Sequence, residues 1–163
     1  MATEFSANST QVVQINQPVI FTESPVPCNK GLVFHRDESG IFLLANNAPS
    51  TNTCSCGCSN IYETLYNVEF GGYISVPTDP AGTVEPISLA IAIIGETDPS
   101  SIMTVTVPLV SDTAGDNIGS SIIVAIPSIC GCQSVSVRNI STQAINVMNA
   151  NILFNYIGYR RVR

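Results

Sequence analysis

Short runs of apolar residues, separated by turn residues, account for most of the chain. The runs are rich in Val, Ile, Thr, Phe and Tyr, and 11 glycines and 10 prolines divide them. Several runs alternate strictly: Thr104-Val105-Thr106-Val107 and Ser134-Val135-Ser136-Val137 each place valines on one face and hydroxyl groups on the other. This pattern is typical of half-buried β-strands, and no stretch shows the period of a long amphipathic helix.

The pattern predicts ten strands in a sandwich or barrel. Turn signals such as Asp37-Glu38-Ser39-Gly40 separate them. Because neither a linker nor an internal repeat is visible, we expect one domain over residues 1–163, with a Cys-bearing loop at 46–60 and a basic tail at 159–163. The predicted strands cover residues 4–14, 18–22, 31–36, 40–45, 61–77, 86–95, 101–109, 118–126, 133–139 and 145–157.

The predicted strand at 86–95 is apolar on both faces. From Ile87 to Ile94 large residues alternate with small ones, and no charge interrupts the run. A strand of this kind needs cover on both sides. We expect the sandwich core to cover one face and a neighbouring subunit to cover the other.

Charged residues make up only 11% of the chain, against about 25% in ordinary domains. This favours association of the chain with copies of itself. Three of the six basic residues, Arg160, Arg161 and Arg163, lie in the last four positions, and the remainder carries three basic residues against 12 acidic ones. Such a body repels nucleic acid. The Arg tail is interpreted either as a solvated terminus or as a docking contact for an acidic partner.

The sequence shows no recognisable signal peptide or membrane-spanning run. Residues 1–5 show neither the basic region nor the apolar segment of a signal peptide, and no apolar run approaches the ~18 residues of a membrane span. We therefore expect synthesis in a cytoplasm, release by lysis or assembly, and no membrane partner. Asn8-Ser9-Thr10 and Asn139-Ile140-Ser141 match glycosylation sequons, which mean little without secretion.

Catalytic chemistry has few candidates. His35, the one histidine, lies in an apparent strand, where a structural role is expected, and neither a Gly-x-Ser-x-Gly motif nor a phosphate-binding loop occurs. The segment 112–117 offers carboxylate oxygens to Ca²⁺ but lacks calcium-loop spacing. The sequence predicts no enzyme, no catalytic residue and no cofactor.

Six cysteines, all in predicted loops, form the most specific feature. Three interpretations remain open: disulfides within or between subunits, a zinc or iron–sulfur site using Cys54, Cys56, Cys58, Cys130 and Cys132, and free thiols. Successive connections of an antiparallel sandwich alternate between its two ends. By this parity the three Cys-bearing connections share one end with both chain termini. The cross-link candidates are Cys28, Cys54, Cys56, Cys58, Cys130 and Cys132.

The order of the ten predicted strands resembles the jelly roll of the tumour necrosis factor and complement globular-head superfamily. Several segments also resemble small proteins of phages and prophages of gut Firmicutes, and related jelly rolls occur on spore surfaces. The segments that carry this resemblance are Glu4-Phe5-Ser6-Ala7-Asn8, Phe34-His35-Arg36-Asp37-Glu38-Ser39-Gly40, Val68-Glu69-Phe70-Gly71-Gly72, Pro86-Ile87-Ser88-Leu89-Ala90-Ile91-Ala92 and Asn139-Ile140-Ser141-Thr142-Gln143-Ala144-Ile145-Asn146-Val147.

The resemblance implies an all-β, ten-stranded antiparallel jelly-roll sandwich and a non-enzymatic, trimeric subunit on a virion surface, such as a capsid decoration or head fibre. The implied partners are further copies of the chain and a major capsid or other shell protein. A spore-surface or extracellular filament subunit and a glycan- or receptor-binding module are the alternatives. Aromatic and apolar residues on three predicted strands either form the oligomer interface or fill the core of one chain: Tyr66, Phe70, Leu89, Ile91, Ile93, Phe154 and Tyr156.

Overall fold

A computed structural model describes residues 2–27, 31–48, 61–77, 86–106, 115–127 and 131–162. Within these ranges the chain forms twelve strands and one short 3₁₀ turn, η1 (Pro99–Ser101). The strands are β1 (Ala2–Ala7), β2 (Gln11–Val13), β3 (Glu23–Val26), β4 (Val33–His35), β5 (Phe42–Ala45), β6 (Ile61–Ser75), β7 (Ile87–Ile93), β8 (Glu96–Thr97), β9 (Met103–Val105), β10 (Gly115–Pro127), β11 (Cys132–Asn139) and β12 (Ile145–Val162).

The strands form two sheets, and every pairing between them is antiparallel. The first sheet has the order β10-β6-β12-β1-β3, with β2 paired to β12. The second sheet has the order β4-β5-β11-β7-β8, with β9 paired to β7. The all-β, antiparallel prediction is confirmed.

Strand boundaries differ from the predicted ones where local pattern and tertiary pairing disagree. The predicted strand 4–14 is divided into β1 and β2 by residues 8–10. The segment 18–22 is not a strand: Val19 N donates to Val137 O at 2.8 Å, and the strand in this region begins only at Glu23. The last strand continues five residues beyond its predicted end because β6 remains beside it as far as Ile61, opposite Val162.

A dense aromatic cluster fills the space between the sheets. Phe42 of the second sheet lies 4.8 Å, between ring centroids, from both Phe5 and Phe154 of the first sheet. Phe21, on the connection into β3, lies 5.4 Å from the same ring. Rings at these separations and tilted angles interact favourably beyond the area they bury. The cluster thus joins the two layers at the level of β1.

The predicted two-sided strand, β7, is buried on both faces within its own chain. Ile87, Leu89 and Ile91 face the core, and Ala90 and Ala92 on the other face have no exposed surface either. Arg138 of β11 lies opposite Ala90, and its Nε donates to Ser136 Oγ at 3.2 Å, so its side chain runs along this outer face. A neighbouring subunit is therefore not needed to cover β7, contrary to the prediction. The small side chains of Ala90 and Ala92 and the long side chain of Arg138 are enough to bury its outer face.

Candidate interaction surfaces

The predicted interface residues lie in the core of the single chain. Tyr66, Leu89 and Ile91 have no exposed surface, and Phe70 and Phe154 are at most 3% exposed. Ile93 and Tyr156 are half-buried and pack against the same core. The structure thus favours the alternative in which these residues fill the monomer, because a side chain buried between the sheets cannot also contact a second copy.

A different surface is available on the outward face of β10, β6 and β12, which we call the neutral face. Its members alternate with the core residues of these strands and lie beside one another through the strand register. Ile123 is 58% exposed and Ile157 is 53% exposed, whereas the other apolar members are half-buried. The neutral face consists of Leu65, Asn67, Ser121, Ile123, Ala125, Leu153, Asn155 and Ile157.

The members of the neutral face are uncharged, but two carboxylates adjoin them. Glu69 lies opposite both Ser121 and Leu153, and Glu4 of β1 lies opposite Leu153 on its other side. The Glu69 carboxylate accepts a hydrogen bond from Asn67 Nδ2. Ser121 Oγ donates to Asn67 Oδ1 at 2.8 Å, so the polar members of the face satisfy one another. A partly exposed sheet surface with apolar members of this kind is suited to contact with another protein surface.

Sequence reasoning missed these residues although a signal was present. Ile122-Ile123-Val124 is apolar on both faces, as β7 is, yet here the second face is exposed. Ile157 lies at a register shift between Tyr156 and Gly158. Such bulges depend on the partner strand and have no clear local signature.

The segments that flank the three Cys-bearing connections meet at one end of the sandwich. Ala45 N donates to Leu32 O and Asn46 N donates to Gly131 O, both at 2.8 Å. Cys132 lies directly opposite Ala45 in the β11–β5 pairing. The residues just after position 30, just before position 49 and just after position 130 therefore lie together, at one end of the sandwich, as predicted.

Both described chain ends also point towards this end. Ala2 lies opposite Asn155, and Val162 lies opposite Ile61 at the start of β6. Cys132 is an exposed free thiol. Cys28, Cys54, Cys56, Cys58 and Cys130 lie outside the described residues, so their cross-linking stays a prediction.

The basic C-terminal segment is strand as far as Val162. Arg160 Nη2 lies 2.9 Å from Glu63 Oε2, with the Arg160 side chain 63% exposed, and Arg160 Nε donates to the same oxygen at 2.9 Å. An exposed pair of this type contributes little to stability. Arg161 is exposed and remains a docking candidate, and Arg163 lies outside the described residues.

His35 lies beside a cavity of about 560 Å³ at the open edge of the sandwich, between β3 and β4. Its ring stacks on Phe42 at 4.6 Å between centroids, and its Nε2 is 2.7 Å from Ser39 O. These contacts agree with the predicted structural role. The cavity has an aromatic and acidic lining that includes Phe5, Phe21, Glu23, Phe34, Asp37 and Glu38.

Asn139, the first residue of a predicted sequon, is fully buried. Its Nδ2 donates to Val13 O at 3.0 Å and to Gln143 O at 2.8 Å, and its Oδ1 accepts from Ser141 N at 2.9 Å. All hydrogen-bonding groups of this amide face protein atoms. A glycan therefore cannot be attached at Asn139 in the folded chain.

Among the residues that the structure describes, no group of three or more His, Cys, Asp or Glu side chains gathers at a point that could hold a metal ion. The described part of the chain also contains no helix long and apolar enough to cross a membrane. Of the calcium candidate at 112–117, only the last three residues are described; they begin β10, and Asp116 Oδ1 accepts from Asn117 N at 2.8 Å.

Comparison with known proteins identifies the architecture. No family model and no curated protein matches the chain. Among solved structures, the fold is similar to Eiger TNF from S. frugiperda, with a TM-score of 0.63 and 12% identity over 97% of this chain and 92% of that one. It is also similar to the globular domain of the zebrafish complement 1qA protein, with a TM-score of 0.54 and 11% identity over 99% of this chain and 98% of that one. The chain therefore has the jelly-roll fold of these proteins, as predicted.

Proposed function

We propose that the protein is a non-enzymatic structural subunit that associates with copies of itself through the neutral face, as a homotrimer. The observation that supports this is the neutral face itself: three adjacent long strands expose Ile123 and Ile157 among uncharged side chains, with the carboxylate of Glu69 beside them. Apolar area exposed in this way gains free energy when it is removed from water. Further copies of the same chain are the expected partners of the neutral face, because most soluble oligomers are symmetric assemblies of one chain.

We further propose that the trimer decorates a virion surface, docked on a major capsid or other shell protein. The support is the resemblance of the segments quoted above to phage and prophage proteins, together with the low charge. Arg161 and the residues after it provide a cationic contact for an acidic shell. A spore-surface or filament subunit would use the same contacts in another setting.

Sedimentation velocity tests the association. The wild-type chain is expected to sediment as a trimer at micromolar concentration, and a monomer there would contradict the proposal. Ile157→Asp should give a monomer with an unchanged unfolding midpoint, because Ile157 is 53% exposed and its loss opens no cavity. Ile94→Asp is the matched control: Ile94, 64% exposed, lies in the turn between β7 and β8, away from the neutral face, and its trimer should persist.

Electron microscopy tests the location. Antibodies against the purified protein should label phage particles induced from the source strain, at regular positions on the capsid. Labelling of spores or filaments, with bare phage particles, would replace the virion proposal by its alternative without affecting the trimer.

A ligand-binding module is a second candidate function, favoured by the cavity beside His35. The exposed ring of Phe34 stands there next to the carboxylates of Asp37 and Glu38, and an apolar surface combined with a few polar groups is typical of binding sites. Glycan-array screening tests it with Phe34→Ala as the variant and Tyr159→Ala, also exposed, as the control. Binding that both proteins retain, or no binding by the wild type, would remove this candidate.

A further inference from the structure

The edges of the two sheets are unequal in the described part of the chain. The strands β2, β4, β8 and β9 have only two to three residues each. The edge strand β3 has four residues, among them Glu23 and Pro25. Shortness, charge and proline are the features that keep sheet edges from pairing with other chains. These five edges are therefore protected.

β10 is an edge strand without such protection. It has 13 residues and pairs with β6 in unbroken register, from Gly115 opposite Ser75 to Pro127 opposite Glu63. Between residues 117 and 126 it contains no charged residue and no proline. No other described strand pairs with β10, although β9 of the second sheet and the turn η1 pass close to it. A long edge of this type presents a row of backbone N–H and C=O groups to a further strand.

We propose that β10 pairs antiparallel with β10 of a second copy, about a two-fold axis at Ser121. The even-numbered residues of β10 face the core side of the sheet, where Ile122 and Val124 are buried. Residues directly opposite each other in an antiparallel pair point to the same face. The axis sets Ile118 opposite Val124 of the second copy and Ser120 opposite Ile122, so the apolar face continues across the contact.

Charge supports a second copy as the occupant. Asp116 is the one carboxylate of β10, and in this register it lies opposite Ile126 of the second copy, not opposite another carboxylate. Like charges directly opposite each other would destabilise the pair. A shift by one residue would exchange the two faces, so the apolar pattern also restricts the register.

This contact differs from the trimer proposed above, although Ser121, Ile123 and Ala125 of the neutral face belong to the same strand β10. The trimer uses the outward face of the first sheet, whereas strand pairing uses its edge and requires backbone hydrogen bonds. Two different contacts, one three-fold and one two-fold, join closed oligomers into larger assemblies. The inference therefore adds a means by which subunits cover a surface or extend a filament.

Hydrogen exchange followed by NMR tests the pairing directly. At alternate residues of β10 the backbone amide points away from β6, towards the free edge of the sheet. These amides should exchange at least about tenfold more slowly at millimolar than at low micromolar concentration, because pairing gives them hydrogen-bond partners. If the amides of β10 exchange equally at both concentrations, the edge is unpaired and the inference is overturned.

A matched pair of variants completes the test. Both variants are made in the Ile157→Asp background, so that loss of the trimer contact of Ser121 does not contribute. Ser121→Lys places two ammonium groups together at the proposed axis, at an exposed position of β10. Its β10 amides should lose the concentration dependence, whereas Ser9→Lys, with the same added charge at an exposed position between β1 and β2, should keep it. Protection that survives in Ser121→Lys, or disappears equally in Ser9→Lys, would overturn the two-fold pairing.

The variant Ile157→Asp separates this inference from the proposed trimer, since Ile157 lies on β12 and does not touch the β10 edge. In that variant the sedimenting trimer should disappear while the protection of β10 at high concentration remains. Loss of the trimer together with this protection would show that the edge does not pair by itself, and would overturn the inference but not the trimer.

Discussion

The hydroxyl of Tyr66 donates a hydrogen bond to the backbone carbonyl of Ala45 at 2.6 Å, across the two sheets. Tyr66 is fully buried in β6 of the first sheet, and Ala45 ends β5 of the second. The next residue, Asn46, donates its backbone N–H to the carbonyl of Gly131. The Tyr66 hydroxyl therefore lies where the segments that flank the cysteine-bearing connections meet.

We expect Tyr66→Phe to lower the free energy of unfolding by about 1–3 kcal/mol, since it leaves the half-buried Ala45 carbonyl without its hydroxyl donor. Urea unfolding followed by far-ultraviolet circular dichroism measures this value. Tyr159→Phe is the control: Tyr159 is 52% exposed, and its variant should match the wild type. Equal stability of Tyr66→Phe and the wild type would show that water replaces the lost donor.

Ile91→Asp and Ile94→Asp should differ sharply although the two positions are only three apart in the sequence. Ile91 has no exposed surface, so the aspartate would bury an unpaired charge at a cost of several kcal/mol. Ile94 is 64% exposed and has a φ of 52°, a backbone conformation that Asp adopts more readily than Ile. Thermal unfolding should show a large decrease in Tm for the first variant and none for the second. Normal folding of Ile91→Asp would contradict the position of β7.

Asn139→Asp should destabilise the fold by about 3 kcal/mol or more, because a carboxylate would face two backbone carbonyls that now accept from the amide. Asn117→Asp, at an exposed position of β10, serves as the control. Chemical unfolding of both variants at neutral pH provides the comparison. If the two variants lose equal stability, the three hydrogen bonds of Asn139 do not hold the β11–β12 connection.

The cysteines are expected to form disulfides once the protein leaves the reducing cytoplasm. Each disulfide that closes a loop within one chain should add about 2–4 kcal/mol to the free energy of unfolding. Intact-mass analysis after alkylation counts the free thiols, and non-reducing gels detect links between subunits. Six alkylated thiols in the assembled particle, with identical reducing and non-reducing gels, would reject cross-linking. A metal in near-stoichiometric amount would favour the alternative interpretation.

The sequence alone determined most of the strands, because alternation and turn chemistry are local properties; β3 and β8 were not predicted, and the predicted strand 18–22 is not one. Val135 and Val137 are buried, as the pattern of β11 predicts, and Ser39 N donates to Arg36 O at 3.0 Å in the predicted turn. Connection parity, counted on ten strands, predicted that the three cysteine-bearing connections share one end. Their flanks do meet there through the hydrogen bonds of Ala45 and Asn46, although the described residues form twelve strands.

Only the tertiary structure decided which apolar faces are covered. Ala92 and Ile123 lie on the outer faces of two equally apolar runs, yet Ala92 is fully buried and Ile123 is 58% exposed. The difference arises because β7 has the Arg138 side chain along its outer face, whereas no described residue lies over Ile123. Burial depends on residues that are distant in the sequence, so a periodic pattern identifies two faces of a strand but not the neighbours that each face meets.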